Sequence, residues 1–287
     1  MKKNIRNYLT GFVLVSTILC SITGCASRTE PAKQPLAVNF LRVGKADAIV
    51  ALSGNHALLI DTGEEDDGEE VVEFLQKHSV SEVDAMIITH FDQDHVGGAD
   101  TVLEEFDVKD VYVPAYTGTH EEYFDFQEAL KKSSASVYSL TESTSFTFGD
   151  AEVLVEPPVS YEIPEPDSDY DNNFSLITTI THGNNRLVFM GDAEKQRIQE
   201  WLKGDSAVTC DFLKVPHHGI YNRALKDLFK QLDPKISVIC SSRKNPAESK
   251  TLEELHKWCP SIYETKDGDV MVLSDGVHLE SSQKIKK

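Results

Sequence analysis

The sequence predicts a mixed α/β fold in which helices cover two packed β-sheets. Short β-type runs alternate with amphipathic helical patterns along both halves of the chain. Hydrophobic residues make up 40% and charged residues 26% of the 287 residues, a composition that excludes wholesale disorder. No stretch after Leu36 is long and polar enough to separate two domains, so we expect one large domain at residues 37–287.

The individual elements follow from the spacing of apolar side chains. Alternating or continuous apolar runs predict strands at residues 38–42, 47–52, 57–61, 84–89, 110–113, 146–148, 151–155, 174–181, 186–190, 212–215, 236–240, 269–273 and 277–280. Apolar residues three and four apart predict helices at residues 69–78, 98–105, 121–132, 194–202, 224–232 and 251–258. The stretch 156–171, rich in Pro and Asp, is expected to be a loop near a site.

The first residues resemble a bacterial lipoprotein signal. A basic start is followed by an apolar run at residues 8–22, shorter than the ~20 residues of a comfortable membrane span. The run stops at Gly24-Cys25, which predicts a signal peptide at residues 1–24 and a lipid on Cys25. Residues 25–36 then read as a tether, and the protein is expected outside the cytoplasmic membrane. An uncleaved anchor helix is the alternative.

Charge and cysteine content narrow the class of protein. The formal net charge of −19 disfavours a protein that coats nucleic acid, which needs a basic surface. It leaves open an enzyme that handles phosphates through metal ions. No C-x-x-C motif is present, which argues against a zinc ribbon or a thioredoxin-type site. A disulfide of Cys259 with Cys210 or Cys240 remains open.

The strongest chemical signal is the segment T-H-F-D-Q-D-H-V-G-G at residues 89–98. An apolar strand runs directly into four residues that can bind metal, namely His90, Asp92, Asp94 and His95. Imidazole and carboxylate groups at this density suit divalent first-row metals. The alternative, a polar turn with one Asp capping a helix, accounts for one of the four residues only.

Three further strand ends carry the same residue types. They are Gly191-Asp192, the segment K-V-P-H-H-G with Lys214, His217 and His218, and Asp61-Thr62-Gly63. Each is weak alone, because Asp before a helix is more often a cap and one of two adjacent His residues is usually structural. Together and in this order they form a strong pattern.

This set of motifs resembles the metallo-β-lactamase fold superfamily. The family's usual H-x-H-x-D-H motif has Asp92 at its second His here, and the H-x-D-x-D-H version is similar to the domain of the competence protein ComEC/Rec2. Residues 40–48, 171–176, 211–219 and 263–276 resemble further patterns of that group. The family's N-x-x-x-H-P element has no His at residues 241–246, where Arg243 or Lys244 could hold an anion instead.

The resemblance implies a four-layer αββα sandwich with two divalent metal ions, Zn²⁺ or Mn²⁺. His90 and Asp92 would hold one metal, Asp94 and His95 the other, with Asp192 as the bridge and His218 or His217 completing the second site. Asp94 and His218 are the expected catalytic residues. Residues expected beside the metals or near the substrate are Asp61, Asn173, Lys214 and Lys244.

The same resemblance favours a phosphodiesterase, acting on DNA or RNA outside the membrane to which the Cys25 lipid attaches the protein. Residues 203–250 carry nine basic and five acidic residues, which suits a basic rim beside the metals. The alternatives are hydrolysis of another ester, such as a teichoic acid phosphodiester or a lactone, and a noncatalytic surface lipoprotein that only binds. A true β-lactamase is disfavoured by Asp92. No protein partner is expected.

Overall fold

The computed structural model describes residues 33–162 and 170–285, which fold around two β-sheets. The strands are β1 (Leu36–Phe40), β2 (Ala48–Ser53), β3 (His56–Thr62), β4 (Val83–Ile87), β5 (Val108–Pro114), β6 (Ser136–Leu140), β7 (Thr144–Phe148), β8 (Ala151–Glu156), β9 (Ile177–His182), β10 (Asn185–Phe189), β11 (Phe212–Lys214), β12 (Ile236–Ile239), β13 (Ser261–Glu264), β14 (Gly268–Ser274) and β15 (Leu279–Ile285). The α-helices are α1 (Gly68–Lys77), α2 (Gln93–Val96), α3 (Ala99–Glu105), α4 (Glu121–Lys132), α5 (Lys195–Trp201), α6 (Ala224–Leu232) and α7 (Ser249–Leu255).

The strand order places the ends of the central strands together. The first sheet has the order β15-β14-β1-β2-β3-β4-β5-β6, and the second β13-β12-β11-β10-β9-β8-β7. Strands β3 to β6 are parallel, and so are β10 to β13, because a helix connects each pair. The carboxyl ends of parallel strands lie at one edge of a sheet, which is where α/β folds collect their ligands.

Three apolar clusters define four layers. Side chains such as Phe40, Ile60 and Phe189 fill the space between the two sheets. The outer face of the first sheet packs against α1, α3 and α4, and the outer face of the second against α5, α6 and α7. The distribution of charge stabilises α4, the longest helix among the described residues, which has two Glu in its first turn and two Lys in its last. The predicted αββα sandwich is confirmed.

Several local predictions were wrong for identifiable reasons. Strand β6 was missed because four of its five residues are exposed, and β13 because all four of its residues are half-buried, so neither alternates. The strand predicted at 174–181 begins only at Ile177, since Tyr170–Phe174 forms a 3₁₀ turn. The strand then ends at His182, which is buried and has Nδ1 2.7 Å from Ser274 Oγ.

Some predictions concern segments that the structure does not describe. The predicted signal peptide and Cys25 lie in residues 1–32, and part of the predicted 156–171 loop lies in residues 163–169, all outside the described residues. Within the described ranges, no helix has the length and apolar character needed to cross a bilayer. Cys210, Cys240 and Cys259 are buried free thiols, so neither disulfide left open by the sequence is present.

Candidate metal centre

The His- and Asp-rich segment turns sharply after β4. Asp92 has an extended backbone, and the single helical turn α2 follows it, so that Asp94 and His95 face back toward the strand end. Gly98 permits this packing, because a Cβ there would lie 2.6 Å from the carbonyl oxygen of Thr62. The backbone N–H of Asp47 also donates to the carbonyl oxygen of Asp94 at 3.0 Å, which fixes the segment to the loop after β1.

Three buried imidazoles point their Nε2 atoms into one space. They belong to His90, His95 and His218. Each Nδ1 lies against an oxygen atom: 3.0 Å from Thr89 Oγ1 for His90, 2.8 Å from Asp61 Oδ2 for His95, and 3.0 Å from the Cys240 carbonyl oxygen for His218. With Nδ1–H donating to these oxygens, each Nε2 is left as a free acceptor, which is the tautomer that binds metal.

Carboxylates surround these Nε2 atoms. Asp192 lies between two of them, with Oδ1 3.3 Å from His95 Nε2 and Oδ2 3.0 Å from His218 Nε2. Asp94 Oδ2 lies 3.2 Å from His218 Nε2, and Asp92 Oδ2 lies 3.6 Å from His90 Nε2. The position of Asp192 is the one that a bridging carboxylate needs.

The donor set fits divalent metal ions. Ligand atoms of His90, His95 and Asp192 lie within 4.8 Å of one another, and the same holds for Asp94, His95 and His218. In the tautomer that carries the proton on Nδ1, the three buried Nε2 atoms face carboxylate oxygens and have no donor to accept from in the described residues. Buried acceptors left unpaired are costly, so their convergence on carboxylates is explained by a bound cation.

Asp61 orients His90 and His95 through hydrogen bonds. Its Oδ1 accepts the backbone N–H of Thr89 and its Oδ2 accepts the Thr89 hydroxyl, both at 2.7 Å. The same Oδ2 accepts Nδ1–H of His95. Because Thr89 in turn contacts His90, one buried carboxylate orients both imidazoles, the arrangement expected of a residue that supports metal ligands.

The electrostatics reflect a surplus of negative charge. Burial would lower the pKa of His95 and His218, but the charge of Asp192 and neighbouring carboxylates outweighs it, raising the pKa of His95 well above its usual value and that of His218 to about 9. Burial would raise the pKa of Asp94 and Asp192, but the two imidazolium groups lower both. Protons on the imidazoles thus hold the place that metal charge would take.

We expect the metal-free protein to become less stable as the pH rises from about 6.5 toward 9. The pKa of His218 is about 9 in the folded state and about 6.5 in an unfolded chain, so its stabilising contribution is complete below 6.5 and is lost as the pH rises through 9. Mn²⁺ must displace these protons, so its apparent affinity should increase over the same interval. Denaturant unfolding in chelator measures the stability, and Mn²⁺ titration measures the affinity, each at several pH values. Equal stability at pH 6.5 and 9 would contradict the expectation.

Two residues of the site were given no role by the sequence. Asp47 is buried, and its carboxylate forms an ion pair with the buried ammonium group of Lys214. The Lys214 Nζ also donates to the carbonyl oxygen of Gly191 at 3.0 Å and lies 3.4 Å from Asp192 Oδ1. Lys214 therefore supports the centre from inside and does not reach a substrate. The only sequence signal for Asp47 was its place in the motif V-G-K-A-D-A.

Ser175 is the second residue that the sequence left without a role. Its hydroxyl oxygen accepts the backbone N–H of Asp192 at 3.1 Å, and the next N–H, of Leu176, donates to the carbonyl oxygen of Thr89 at 2.9 Å. This segment connects the two strand ends that carry the candidate ligands. The resemblance at residues 171–176 was the available signal.

The other predicted residues lie outside the ligand clusters. His217 contacts Glu194, with Nδ1 3.1 Å from Oε1, so His218 is the member of the pair that joins the carboxylates. Both histidines have left-handed backbones, with φ of 48° and 49°, which directs their rings to different surroundings. Asn173 Oδ1 accepts the backbone N–H of Arg197 at 3.0 Å, and Lys244 is exposed on the loop after β12.

The fold is an αββα sandwich in which candidate His and Asp ligands gather at the strand ends of both sheets, the arrangement of a class of metal-binding α/β proteins. Residues 41–243 match the profile of the metallo-beta-lactamase superfamily, and the chain belongs to that family. Its sequence is 29% identical over 179 residues to ComE operon protein 3 of Bacillus subtilis, covering 62% of this chain and 22% of that protein. It is 24% identical over 236 residues to Recombination protein 2 of Haemophilus influenzae, covering 79% and 27%. The chain thus matches about a quarter of the length of these curated relatives.

Solved structures show the same fold. The metallo-beta-lactamase fold protein YhfI from Bacillus subtilis superimposes with a TM-score of 0.54 at 12% identity, covering 87% of this chain and 100% of that chain. CmlA, a diiron beta-hydroxylase from Streptomyces venezuelae, superimposes with a TM-score of 0.52 at 13% identity, covering 89% and 55%. At such identities the likeness concerns the fold alone.

Proposed function

We propose that this protein is a metal-dependent phosphodiesterase with two divalent ions, Zn²⁺ or Mn²⁺, that acts on DNA or RNA outside the cytoplasmic membrane. The observation that carries the proposal is that His95 belongs to one ligand cluster with His90 and Asp192 and to another with Asp94 and His218, with Asp192 placed between His95 and His218. Such an arrangement suits two cations held close together, which is the device of many phosphoryl-transfer enzymes.

The charge of the centre agrees with two cations. Five aspartates lie at or directly beneath it, and the fixed cations in contact with them are Lys214, which is buried, and Lys45 at the surface. The aspartates are Asp47, Asp61, Asp92, Asp94 and Asp192. With both lysines counted, the group carries a net charge of −3. One divalent ion would leave it at −1 and two would bring it to +1, so the charge agrees with one or two bound cations and the placement of the ligands is what favours two.

The protein's own side chains determine from which side a substrate reaches the centre and how the candidate ligands are oriented. When bound, the two cations would polarise a phosphoryl oxygen and lower the pKa of a water molecule. The carboxylates of Asp92 and Asp94 are 33% and 21% exposed, while all three ligand imidazoles are buried, so a substrate reaches the centre from the carboxylate side. Asp61 keeps the imidazole of His95 in the tautomer that leaves Nε2 free.

The choice of a phosphodiester substrate is supported by the relatives. One of them is named for recombination, a process that acts on DNA, whose backbone is a phosphodiester. The location outside the membrane is supported by the N-terminal sequence alone, through the lipid expected on Cys25. We also propose that this lipid attaches the protein to the membrane.

The test is a metal and substrate analysis of the full-length protein purified in detergent. We would measure bound metal and then assay single-stranded DNA, double-stranded DNA, RNA, bis-p-nitrophenyl phosphate and a lactone with Mn²⁺ or Zn²⁺. We expect near-stoichiometric binding of two ions and cleavage of at least one nucleic acid. Lactone turnover without phosphodiester cleavage would replace the proposal by another ester hydrolase. Failure to bind metal would overturn the enzyme proposal altogether and favour a binding protein.

A further inference from the structure

Lys45 lies on the loop between β1 and β2, in the segment V-G-K-A-D-A at residues 43–48. Gly44 before it has a left-handed backbone with φ of 96°, which a residue with a side chain rarely adopts. The N–H of Asp47 holds the loop against the Asp94 carbonyl oxygen at 3.0 Å. The backbone of Lys45 is therefore fixed beside the candidate metal centre.

The side chain of Lys45 contacts a candidate metal ligand. Its Nζ lies 3.3 Å from Asp94 Oδ2, and the side chain is 30% exposed. The same Asp94 oxygen lies 3.2 Å from His218 Nε2, within one of the ligand clusters. Lys45 therefore occupies the solvent side of the oxygen atom that a cation would use.

The same lysine faces a cavity. The cavity has a volume of about 310 Å³, and its lining residues are Lys45, Glu64, Asp92, Gln93, Asp94, His120 and Asn245. Two candidate ligands, Asp92 and Asp94, thus open into this cavity, and Lys45 is the lysine in its lining. A substrate that reaches the centre from the carboxylate side passes the ammonium group of Lys45.

We propose that Lys45 binds a nonbridging oxygen of the substrate phosphate, and that cation binding to Asp94 releases Lys45 from its contact with Asp94 for this task. The inference rests on the proposed function, because it concerns the substrate of the same site. The cavity then recognises a phosphate group, and Lys45 is the residue that contacts it.

Competition for Asp94 explains the release. A cation on Asp94 Oδ2 and an ammonium 3.3 Å from the same oxygen repel each other, and the partly exposed lysine is the one that can move. Its four-carbon stem allows the ammonium group to swing into the adjoining cavity.

The order of binding follows from the charges of the lining. Without metal, Lys45 is opposed by Asp92, Asp94 and Glu64, so the cavity repels anions. Once two of these carboxylates bind cations, the freed ammonium group and the cations attract the same phosphate. The cavity therefore becomes an anion site only after metal has bound.

Two variants and a matched control test this assignment. Lys45→Met removes the charge, Lys45→Arg keeps it, and Lys109→Met removes another lysine paired with an aspartate, 3.0 Å from Asp84 and away from the cavity. The measurements are Mn²⁺ affinity and inorganic phosphate affinity with and without Mn²⁺, both by calorimetry, and the KM and kcat for bis-p-nitrophenyl phosphate.

Lys45→Met should bind Mn²⁺ about two- to fivefold more tightly, because a competing cation is gone. It should bind phosphate about tenfold more weakly in Mn²⁺ and raise KM by a similar factor, with kcat changed much less. Lys45→Arg should restore most of the phosphate affinity, and Lys109→Met should match the wild type.

Equal phosphate affinity in wild type and Lys45→Met, or weaker Mn²⁺ binding in Lys45→Met, would overturn the assignment. So would wild-type phosphate binding that is as strong without Mn²⁺ as with it. Failure of the proposed function would look different, since wild-type protein would then cleave no phosphodiester. The calorimetric comparison of the Lys45 variants would still decide the role of Lys45 in that case.

Discussion

Replacing Asp94 by alanine should abolish hydrolysis while leaving the fold intact. Asp94 Oδ2 lies 3.2 Å from His218 Nε2 in one ligand cluster, so its loss should weaken binding of the second cation. We expect kcat/KM for the cleaved phosphodiester to fall by at least about a thousandfold, because charge stabilisation by the metals is lost. Metal content should drop from two ions toward one, which elemental analysis measures on the same sample.

The fold should survive because Asp94 lies on a partly exposed single turn and not in an apolar cluster. We expect the free energy of unfolding of metal-free Asp94→Ala to differ from that of the wild type by no more than about 2 kcal/mol. Asp125→Ala, at an exposed position of α4, is the matched control and should keep full activity. Wild-type hydrolysis by Asp94→Ala would remove Asp94 from the candidate site.

The sequence could predict the candidate site because local chemistry and strand periodicity coincide there. His90, Asp92, Asp94 and His95 follow an apolar strand within six residues, and Asp192 follows another strand end. Parallel strands bring such ends to one edge without any further information. Two packed sheets covered by helices could be predicted for the same reason, since apolar faces recur along both halves of the chain, whereas the four-layer αββα order was implied by the family resemblance.

The supporting contacts could not be predicted, because each joins atoms far apart in sequence. Nδ1 of His218 contacts a backbone carbonyl oxygen, that of Cys240, and a carbonyl leaves no trace in residue identity. The ion pair of Asp47 with Lys214 depends on how two sheets stack, which periodicity does not specify. The choice between His217 and His218 likewise depends on backbone angles near φ 48°, not on residue type.

Lys214→Met should destabilise the protein more than other single lysine replacements. Lys214 and Asp47 are both buried, and the ammonium group is the close cationic partner of the Asp47 carboxylate. Burial would lower the pKa of Lys214, but the charges of Asp47 and Asp192 raise it well above its usual value, so the ammonium group stays charged. Methionine fills the space of the stem but leaves a buried carboxylate uncompensated. Denaturant unfolding in chelator should show a loss of about 3–5 kcal/mol.

The double variant Asp47→Asn/Lys214→Met separates charge balance from support of the metal site. Removing both charges should recover most of the lost stability, because no unpaired ion remains buried. Mn²⁺ affinity should stay reduced, since the double variant still lacks the ammonium group that lies 3.4 Å from Asp192 Oδ1 and donates to Gly191. Lys109→Met, which breaks only exposed, solvent-screened pairs with Glu82 and Asp84, should change the stability much less. If Lys214→Met lowers the free energy of unfolding no more than Lys109→Met does, the buried pair is not needed for stability. If the double variant binds Mn²⁺ like the wild type, Lys214 serves only to neutralise Asp47.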